Sequence, residues 1–306
     1  MTKADIPTVY FPDAPDIPLP LGHRFPAAKY RLLRDAVIRE GVLTANMLKP
    51  SPLIGRSKLL RIHSETYVDA ILTGTLDNQA VRQLGLPLSD VLCCRSLATV
   101  GGSLAAARSA LRTGFSAQLA GGTHHAHRDF GSGFCVFNDL ALAARLMLDE
   151  GAVDRVAILD CDVHQGDGTA ALMADEPRVL TVDVFGDKNF PVRKVAADVD
   201  IALPDDTGDD GYLASLEGAL EQVFAFRPGL VLYNAGVDPL KADRLGRLAL
   251  SLEGLQQRDR RVFEAARDNA TPVVSVAGGG YAEPVTLTVT AYLNTLKALC
   301  DVHGLG

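Results

Sequence analysis

Short apolar runs alternate with longer stretches that carry apolar residues every three or four positions along most of the chain. The short runs Thr8–Phe11, Ala117–Ala120, Val156–Leu159, Val179–Val184, Leu230–Tyr233 and Val273–Ala277 predict strands. Most are apolar at consecutive positions, the pattern of parallel strands buried on both faces. The longer stretches predict helices at about Ala27–Glu40, Glu65–Thr73, Asp90–Arg112, Asp139–Glu150, Tyr212–Phe224, Leu255–Asp268 and Val285–Leu299. Strand and helix in alternation imply an α/β fold: a mostly parallel central sheet flanked by helices, hence three layers. No Ser/Gly linker, low-complexity stretch or fixed-period repeat divides the chain, so residues 1–306 are expected to form a single domain. The opening, with Pro7, Pro12, Pro15, Pro18 and Pro20, is expected to be an irregular surface segment.

Composition removes several classes of function. A formal charge of −7 disfavours nucleic acid or an anionic membrane as the main partner. No apolar run reaches the roughly 18 residues that a transmembrane helix needs. The first residues, MTKADIPTVYFP, lack a charged segment followed by an apolar one, so a secretory leader is not expected. Cys93, Cys94, Cys135, Cys161 and Cys300 are odd in number and lack paired zinc spacing. They are expected to be reduced thiols of a cytoplasmic protein.

The chemistry concentrates where strands end. Gly121-Gly122-Thr123-His124-His125 follows one strand, and Asp160-Cys161-Asp162-Val163-His164-Gln165-Gly166-Asp167 another. Asn234-Ala235-Gly236-Val237-Asp238 and Gly278-Gly279-Gly280-Tyr281 follow two more. Ligands of open α/β sheets bind beyond the carboxyl ends of the strands, so these four segments can converge.

Side chains two apart in extended backbone point the same way, so Asp162 and His164 can chelate one ion, with Asp238 as third ligand. Three protein ligands and an open position suit a catalytic metal. The same Asp162 and His164 also suit an ordinary βα turn. Four of the seven histidines, His124, His125, His127 and His164, sit at these strand ends. They are either proton carriers or simply exposed loop residues. Asp160 and Asp167 are the carboxylates placed to set their tautomers and charge. Tyr281 is either a packed aromatic or a donor to a developing oxyanion. Elsewhere, Asp205–Asp210 reads as a solvated acidic loop, and Arg244 and Arg247 as surface charge. His63 reads as the start of a helix capped by Ser64, Gly101-Gly102 as a close helix contact, and Cys135 as a packed thiol.

Taken in order, GGTHHAHRDFGSGFCVFND, ILDCDVHQGDGT, YNAGVDP and VAGGGY resemble the histone deacetylase superfamily of metal-dependent amidohydrolases. The resemblance runs from GHRFPAAKY, near residue 22, to about residue 299. The stretch Asp183–Lys194 is most similar to class IV and related bacterial members. The resemblance implies an arginase/deacetylase-like fold and the removal of acetyl or longer acyl groups from lysine side chains or related amines. It implies Asp162, His164 and Asp238 as ligands of zinc, or of ferrous iron as in some members. His124 and His125 match the tandem histidines, with His125 as general base and acid, and Asp160 and Asp167 match the carboxylates that orient them. Tyr281 matches the catalytic tyrosine. Gly133, Phe134 and Phe190 match positions along the acyl-lysine tunnel. A monovalent cation such as K+ is implied near Asp160 and Asp183, the latter standing where some members have a hydroxyl residue. Gln83–Asp90 does not align with the rim segment that holds the substrate backbone in several members.

The implied substrates are an acyl-lysine protein or peptide, or an acylated small amine; an oligomer is compatible with the sequence. Two rival functions are an arginase-type ureohydrolase, which needs a second metal set absent from these motifs, and a non-catalytic acyl-lysine binding protein. The latter should lack a ligand or the tyrosine, and this chain has all of them.

Overall fold

The computed structural model describes residues 6–305; residues 1–5, the start of the segment in which no secretory leader is expected, and residue 306 lie outside them. Its strands are β1 (Val9–Phe11), β2 (Leu48–Pro50), β3 (Phe115–Gln118), β4 (Val156–Asp160), β5 (Val179–Gly186), β6 (Val199–Leu203), β7 (Leu230–Asn234) and β8 (Val273–Val276). They form one eight-stranded sheet in the order β2-β1-β3-β8-β7-β4-β5-β6. Every neighbouring pair is parallel.

The helices are α1 (Lys29–Arg39), α2 (Arg56–Leu59), α3 (Glu65–Thr73), α4 (Asn78–Leu84), α5 (Asp90–Thr113), α6 (Asp139–Asp149), α7 (Asp167–Met173), α8 (Asp209–Ala225), α9 (Leu252–Asp268) and α10 (Val285–Val302). Among the described residues, none is long and apolar enough to cross a membrane.

The apolar runs work as two-sided strands. In β4, Ala157 and Leu159 join one core cluster with residues of α1, α8, α9 and α10. Val156 and Ile158, pointing the other way, join a second cluster with residues of α3, α5 and α6. The twofold repeat of a strand thus feeds both helical layers from a single run.

The elements that periodicity misses are short or at an edge. β2 is three residues and ends in proline, and β6 is an edge strand with alternating partly exposed positions. α2, α4 and α7 have only four or seven residues, too few to display a helical repeat. Helix starts follow capping chemistry where the side chain reaches back. Ser89 Oγ accepts from Leu92 N at 3.1 Å, Asn138 Oδ1 from Ala141 N at 3.0 Å, and Ser251 Oγ from Gly254 N at 2.9 Å. Ser64 does precede α3, but its side chain makes no capping bond.

The Gly101-Gly102 pair also differs from expectation. It admits the 51–54 segment and β3, not another helix: a Cβ at Gly101 would strike the Pro52 carbonyl, and one at Gly102 the side chains of Ser51 and Gln118. The acidic loop and its arginines behave as surface charge, with Arg247 on Asp205 at 2.6 Å and Arg244 on Glu283 at 3.0 Å. Cys135 is a buried free thiol.

Candidate active site

The four motif-bearing strands β3, β8, β7 and β4 are consecutive in the sheet, and because they run parallel their carboxyl ends share one edge. The loops that follow crowd together there. A Cβ at Gly279 would collide with the carboxylates of both Asp238 and Asp162, so only glycine lets this loop close over them. Underneath, fully buried Arg258 pairs with Asp259 at 2.8 Å and donates to Cys161 O at 3.1 Å and Gly236 O at 2.6 Å. One cation thereby ties the loops after β4 and β7 together.

Asp162, His164 and Asp238 are buried, and they offer one ligand atom each within 4.8 Å of one another. It is the one such group among the described residues. The carboxylates are held from behind: Asp162 Oδ2 accepts from Gly279 N at 2.7 Å, and Asp238 Oδ1 from Val163 N at 2.9 Å. Their other oxygens converge on His164 Nδ1, at 2.9 Å for Asp162 Oδ1 and 3.1 Å for Asp238 Oδ2. One N–H cannot point well at both, and Asp238 Oδ2 is buried without a hydrogen-bond donor.

Burial opposes charge on His164, but the two carboxylates outweigh it and hold its pKa at about 10. Burial and then repulsion from Asp162 lift Asp238 to about 7. A site that grips a proton this way is built for a cation. Ligand atoms about 2.0–2.2 Å from a tetrahedral zinc stand roughly 3.3–3.6 Å apart, so the two separations from His164 Nδ1, 2.9 and 3.1 Å, lie a few tenths of an ångström short of that. The donor set of one imidazole and two carboxylates suits zinc or ferrous iron.

Beside this cluster the tandem histidines form two pairs with opposite charge preference. His124 Nδ1 donates to Asp160 Oδ2 at 2.7 Å. Burial works against a charge on His124, yet Asp160 and Asp162 prevail and raise its pKa well above the ordinary range. His125 Nδ1 donates to Asp167 Oδ1 at 2.6 Å. Burial, and then the neighbouring His124, push His125 down to about 3, so it is a neutral imidazole with Nε2 as its basic atom. Asp167 also accepts from His127 Nε2 at 3.0 Å; burial opposes its ionisation, but these bonds keep it below the usual carboxylate range.

A cavity of about 30 Å³ is lined by His124, His125, Gly133, Phe134, Asp162, His164 and Tyr281. A Cβ at Gly133 would run into the His125 ring, which explains the glycine. The Phe134 ring lies 6.1 Å from that of Tyr281. Phe190, 42% exposed, sets its edge against His125 with centroids 4.9 Å apart. Tyr281 is anchored through its backbone, whose N–H donates to Asp243 Oδ2 at 2.6 Å. Its ring meets His164 nearly edge-on at 6.2 Å. Burial, then Asp162, keep its phenol protonated well above the ordinary range. Asp183 pairs in register with Asp160; its Oδ2 accepts from Gly166 N at 2.7 Å and its Oδ1 is buried without a partner.

Several supporting residues escape the motif-based reading. Asn234 Nδ2 donates to Asp160 Oδ1 at 2.9 Å, and its place at the end of β7 within YNAGVDP was the available signal. Asp139 accepts from the N–H groups of Gly122 and Thr123 at 3.2 and 2.8 Å. His63 donates from Nδ1 to His127 O at 2.8 Å and accepts at Nε2 from Asn138 N at 3.1 Å, so it braces the histidine loop as well as preceding α3. Lys29, fully buried, donates to Gly280 O at 3.2 Å and Tyr292 Oη at 3.1 Å beneath the glycine loop. Nothing local in the sequence marks these last two.

Comparison with known proteins places this geometry in context. Residues 23–296 match the model of the histone deacetylase domain. An uncharacterised protein of Picosynechococcus is 42% identical over 298 residues, covering 97% of this chain and 99% of the relative. Histone deacetylase 2 of Arabidopsis thaliana is 30% identical over 269 residues, covering 85% of this chain and 70% of the relative. Among solved structures, an acetylpolyamine aminohydrolase from Burkholderia pseudomallei superposes with a TM-score of 0.78 at 19% identity, covering 96% of this chain and 99% of that one. At that identity the likeness concerns the fold.

Proposed function

The chain belongs to the histone deacetylase family, and from that premise we propose that it is a metal-dependent amidohydrolase removing acyl groups from lysine side chains or related amines. The observation that carries the proposal is a pair of adjacent buried histidines, each on its own carboxylate, beside one buried three-ligand cluster.

Asp162, His164 and Asp238 would hold one divalent ion, zinc or ferrous iron. That ion supplies polarisation of the amide carbonyl and a more acidic water. His125, oriented by Asp167, takes the water proton at Nε2 as the water oxygen bonds to the carbonyl carbon. His124, kept cationic by Asp160, adds fixed positive charge beside the reacting centre. Tyr281 donates to the carbonyl oxygen as negative charge grows there. His125 then returns its proton to the leaving nitrogen, which departs as the free amine and leaves a carboxylic acid. Gly133 and Phe134, with Phe190 at the mouth, would grip the alkyl chain that carries the amide.

A monovalent cation beside Asp160 and Asp183 would engage the unpartnered Asp183 Oδ1. The proposal extends to the whole chain as one domain, acting in the cytoplasm on an acyl-lysine peptide or an acylated small amine such as a polyamine.

The test is a hydrolysis panel of acetyl-polyamine, acetyl-lysine peptide and long-acyl peptide against metal-reconstituted protein, with elemental analysis of the same sample. Turnover with one divalent ion per chain is expected. Two stoichiometric ions in the active protein would favour the ureohydrolase, and tight acyl-lysine binding without turnover would favour a binding module.

A further inference from the structure

We propose that Asp243 is a positioning residue of this site, its carboxylate setting where the Tyr281 hydroxyl stands. The inference rests on the amidohydrolase proposal and deepens it, by naming the group on which the oxyanion donor depends.

β8 ends at Val276 and α10 begins at Val285, so the Tyr281 N–H has neither a strand nor a helix to bond. Its hydroxyl makes no hydrogen bond among the described residues, and its ring is bounded by those of Phe134 and His164 and by Lys29 Nζ. The position of the hydroxyl therefore follows the backbone, which is fixed on both sides. Gly279 O accepts from Val237 N at 2.8 Å, Gly280 O accepts from Lys29 Nζ at 3.2 Å, and Ala282 N donates to Thr288 Oγ1 at 3.1 Å. At Tyr281 itself the anchor is a side chain, Asp243 Oδ2, which accepts from its N–H at 2.6 Å.

The other oxygen of Asp243 is tied down within its own loop. Oδ1 accepts from Leu245 N at 2.8 Å and from Gly246 N at 3.0 Å, closing a turn over residues 243–246. That turn is mounted from two sides. A Cβ at Gly246 would strike Asp238 O, so the turn lies against the backbone of a ligand residue. Leu245 O accepts from Asn189 Nδ2 at 2.8 Å, and Asn189, 4% exposed, directly precedes Phe190. One carboxylate thus ties the oxyanion donor to the loop of Asp238 and to the loop of Phe190. Arg244 and Glu283, 3.0 Å apart, join the same loops as Asp243 and Tyr281, but this pair is exposed and contributes little.

Asparagine at 243 cuts the link to Tyr281 and leaves the turn. It has the shape of aspartate but one acceptor oxygen, which two N–H groups of the turn claim against one from Tyr281. Its NH2 then faces the Tyr281 N–H, donor against donor. Serine can close the same kind of turn through its hydroxyl and is too short to reach Tyr281. A misplacement of about 1 Å in a reacting constellation costs on the order of a hundredfold in rate.

Asp243→Asn, Asp243→Ser and the control Arg244→Ala should each be made in wild type and in Tyr281→Phe. Steady-state constants and metal content are then measured on the metal-loaded proteins. In wild type, kcat should fall about tenfold to a hundredfold in both Asp243 variants, with KM and metal content within about twofold. Arg244→Ala should stay within about twofold throughout. In Tyr281→Phe the Asp243 substitutions should cost less than about twofold, because the hydroxyl they displace is already gone. Full activity in Asp243→Asn, an equal loss in both backgrounds, or loss of metal overturns the proposal. Amide hydrogen exchange reads the bond without turnover: Tyr281 N–H should lose at least about tenfold in protection in Asp243→Asn, and unchanged protection also overturns it. If wild type hydrolyses no acyl amine, the amidohydrolase proposal fails. Exchange, together with the place of the Tyr281 hydroxyl in crystals of Asp243→Asn, then still decides whether Asp243 positions it.

Discussion

Replacing Tyr281 with phenylalanine isolates one hydroxyl. Within the described protein that hydroxyl makes no hydrogen bond, and the residue is positioned instead by its backbone N–H on Asp243 Oδ2 at 2.6 Å. A phenylalanine ring keeps the contacts with Lys29 at 4.8 Å, Phe134 at 6.1 Å and His164 at 6.2 Å. Folding stability should therefore change by no more than about 0.5 kcal/mol, as for substitutions that disturb no packing or buried polar pair. Losing one preorganised oxyanion donor costs on the order of 10²–10³ in kcat, about 2.7–4 kcal/mol. Because the bond strengthens only as charge develops, the loss should fall on kcat and kcat/KM alike, with KM nearly unchanged. Burial keeps the phenol protonated well above its ordinary range, so the deficit should also be independent of pH near neutrality. Steady-state kinetics, metal content and thermal unfolding on one preparation test all of this. Full activity in Tyr281→Phe would show that the tyrosine only packs, and loss of activity in step with metal or stability would remove the oxyanion role.

Three further outcomes follow from the site. His164 at about 10 and Asp238 at about 7 must both be deprotonated to serve as ligands, so metal binding should release about one proton near pH 8 and more below pH 7. Calorimetry in buffers of different ionisation heat measures this, and binding without proton release would contradict the ligand assignment. Burial holds His63 at about 4, against about 6.5 in the unfolded chain, so the unfolded state is protonated first as pH falls. Stability present above about pH 6.5 is thus lost down to about pH 4, by up to about 3 kcal/mol. His63→Gln should remove that loss in urea titrations at the two pH values, and a wild-type-minus-variant difference that does not vary with pH would refute it. Phe190→Ala should lower kcat/KM for alkyl-chain substrates roughly tenfold through lost apolar contact, leaving metal content intact. Unchanged constants for every acyl-amine would remove Phe190 from the substrate path.

Local sequence determined a good deal of this protein. Strands such as Val156–Asp160 feed two cores at once, and only consecutive apolar residues do that, so they stand out in the chain. The loops after β3, β4, β7 and β8 stand out as well, because tight turns at a crowded sheet edge demand glycine and the polar residues there are of metal-binding and proton-carrying types. Other features have no such local mark. The edge strands β2 and β6 are short or partly wet and carry too little apolar pattern to be seen. Asp139, Asp243 and Asn234 look like any cap or turn residue until the fold brings a backbone N–H, or Asp160, against them. Lys29 reaches Gly280 across 251 positions, and Arg95 reads as an ordinary helix residue until α5 packs it inside the protein. Periodicity and turn chemistry are short-range and are written in neighbouring residues. Which buried polar groups meet, and which are left without a partner, depends on strand order and helix packing, and the tertiary structure alone decides that.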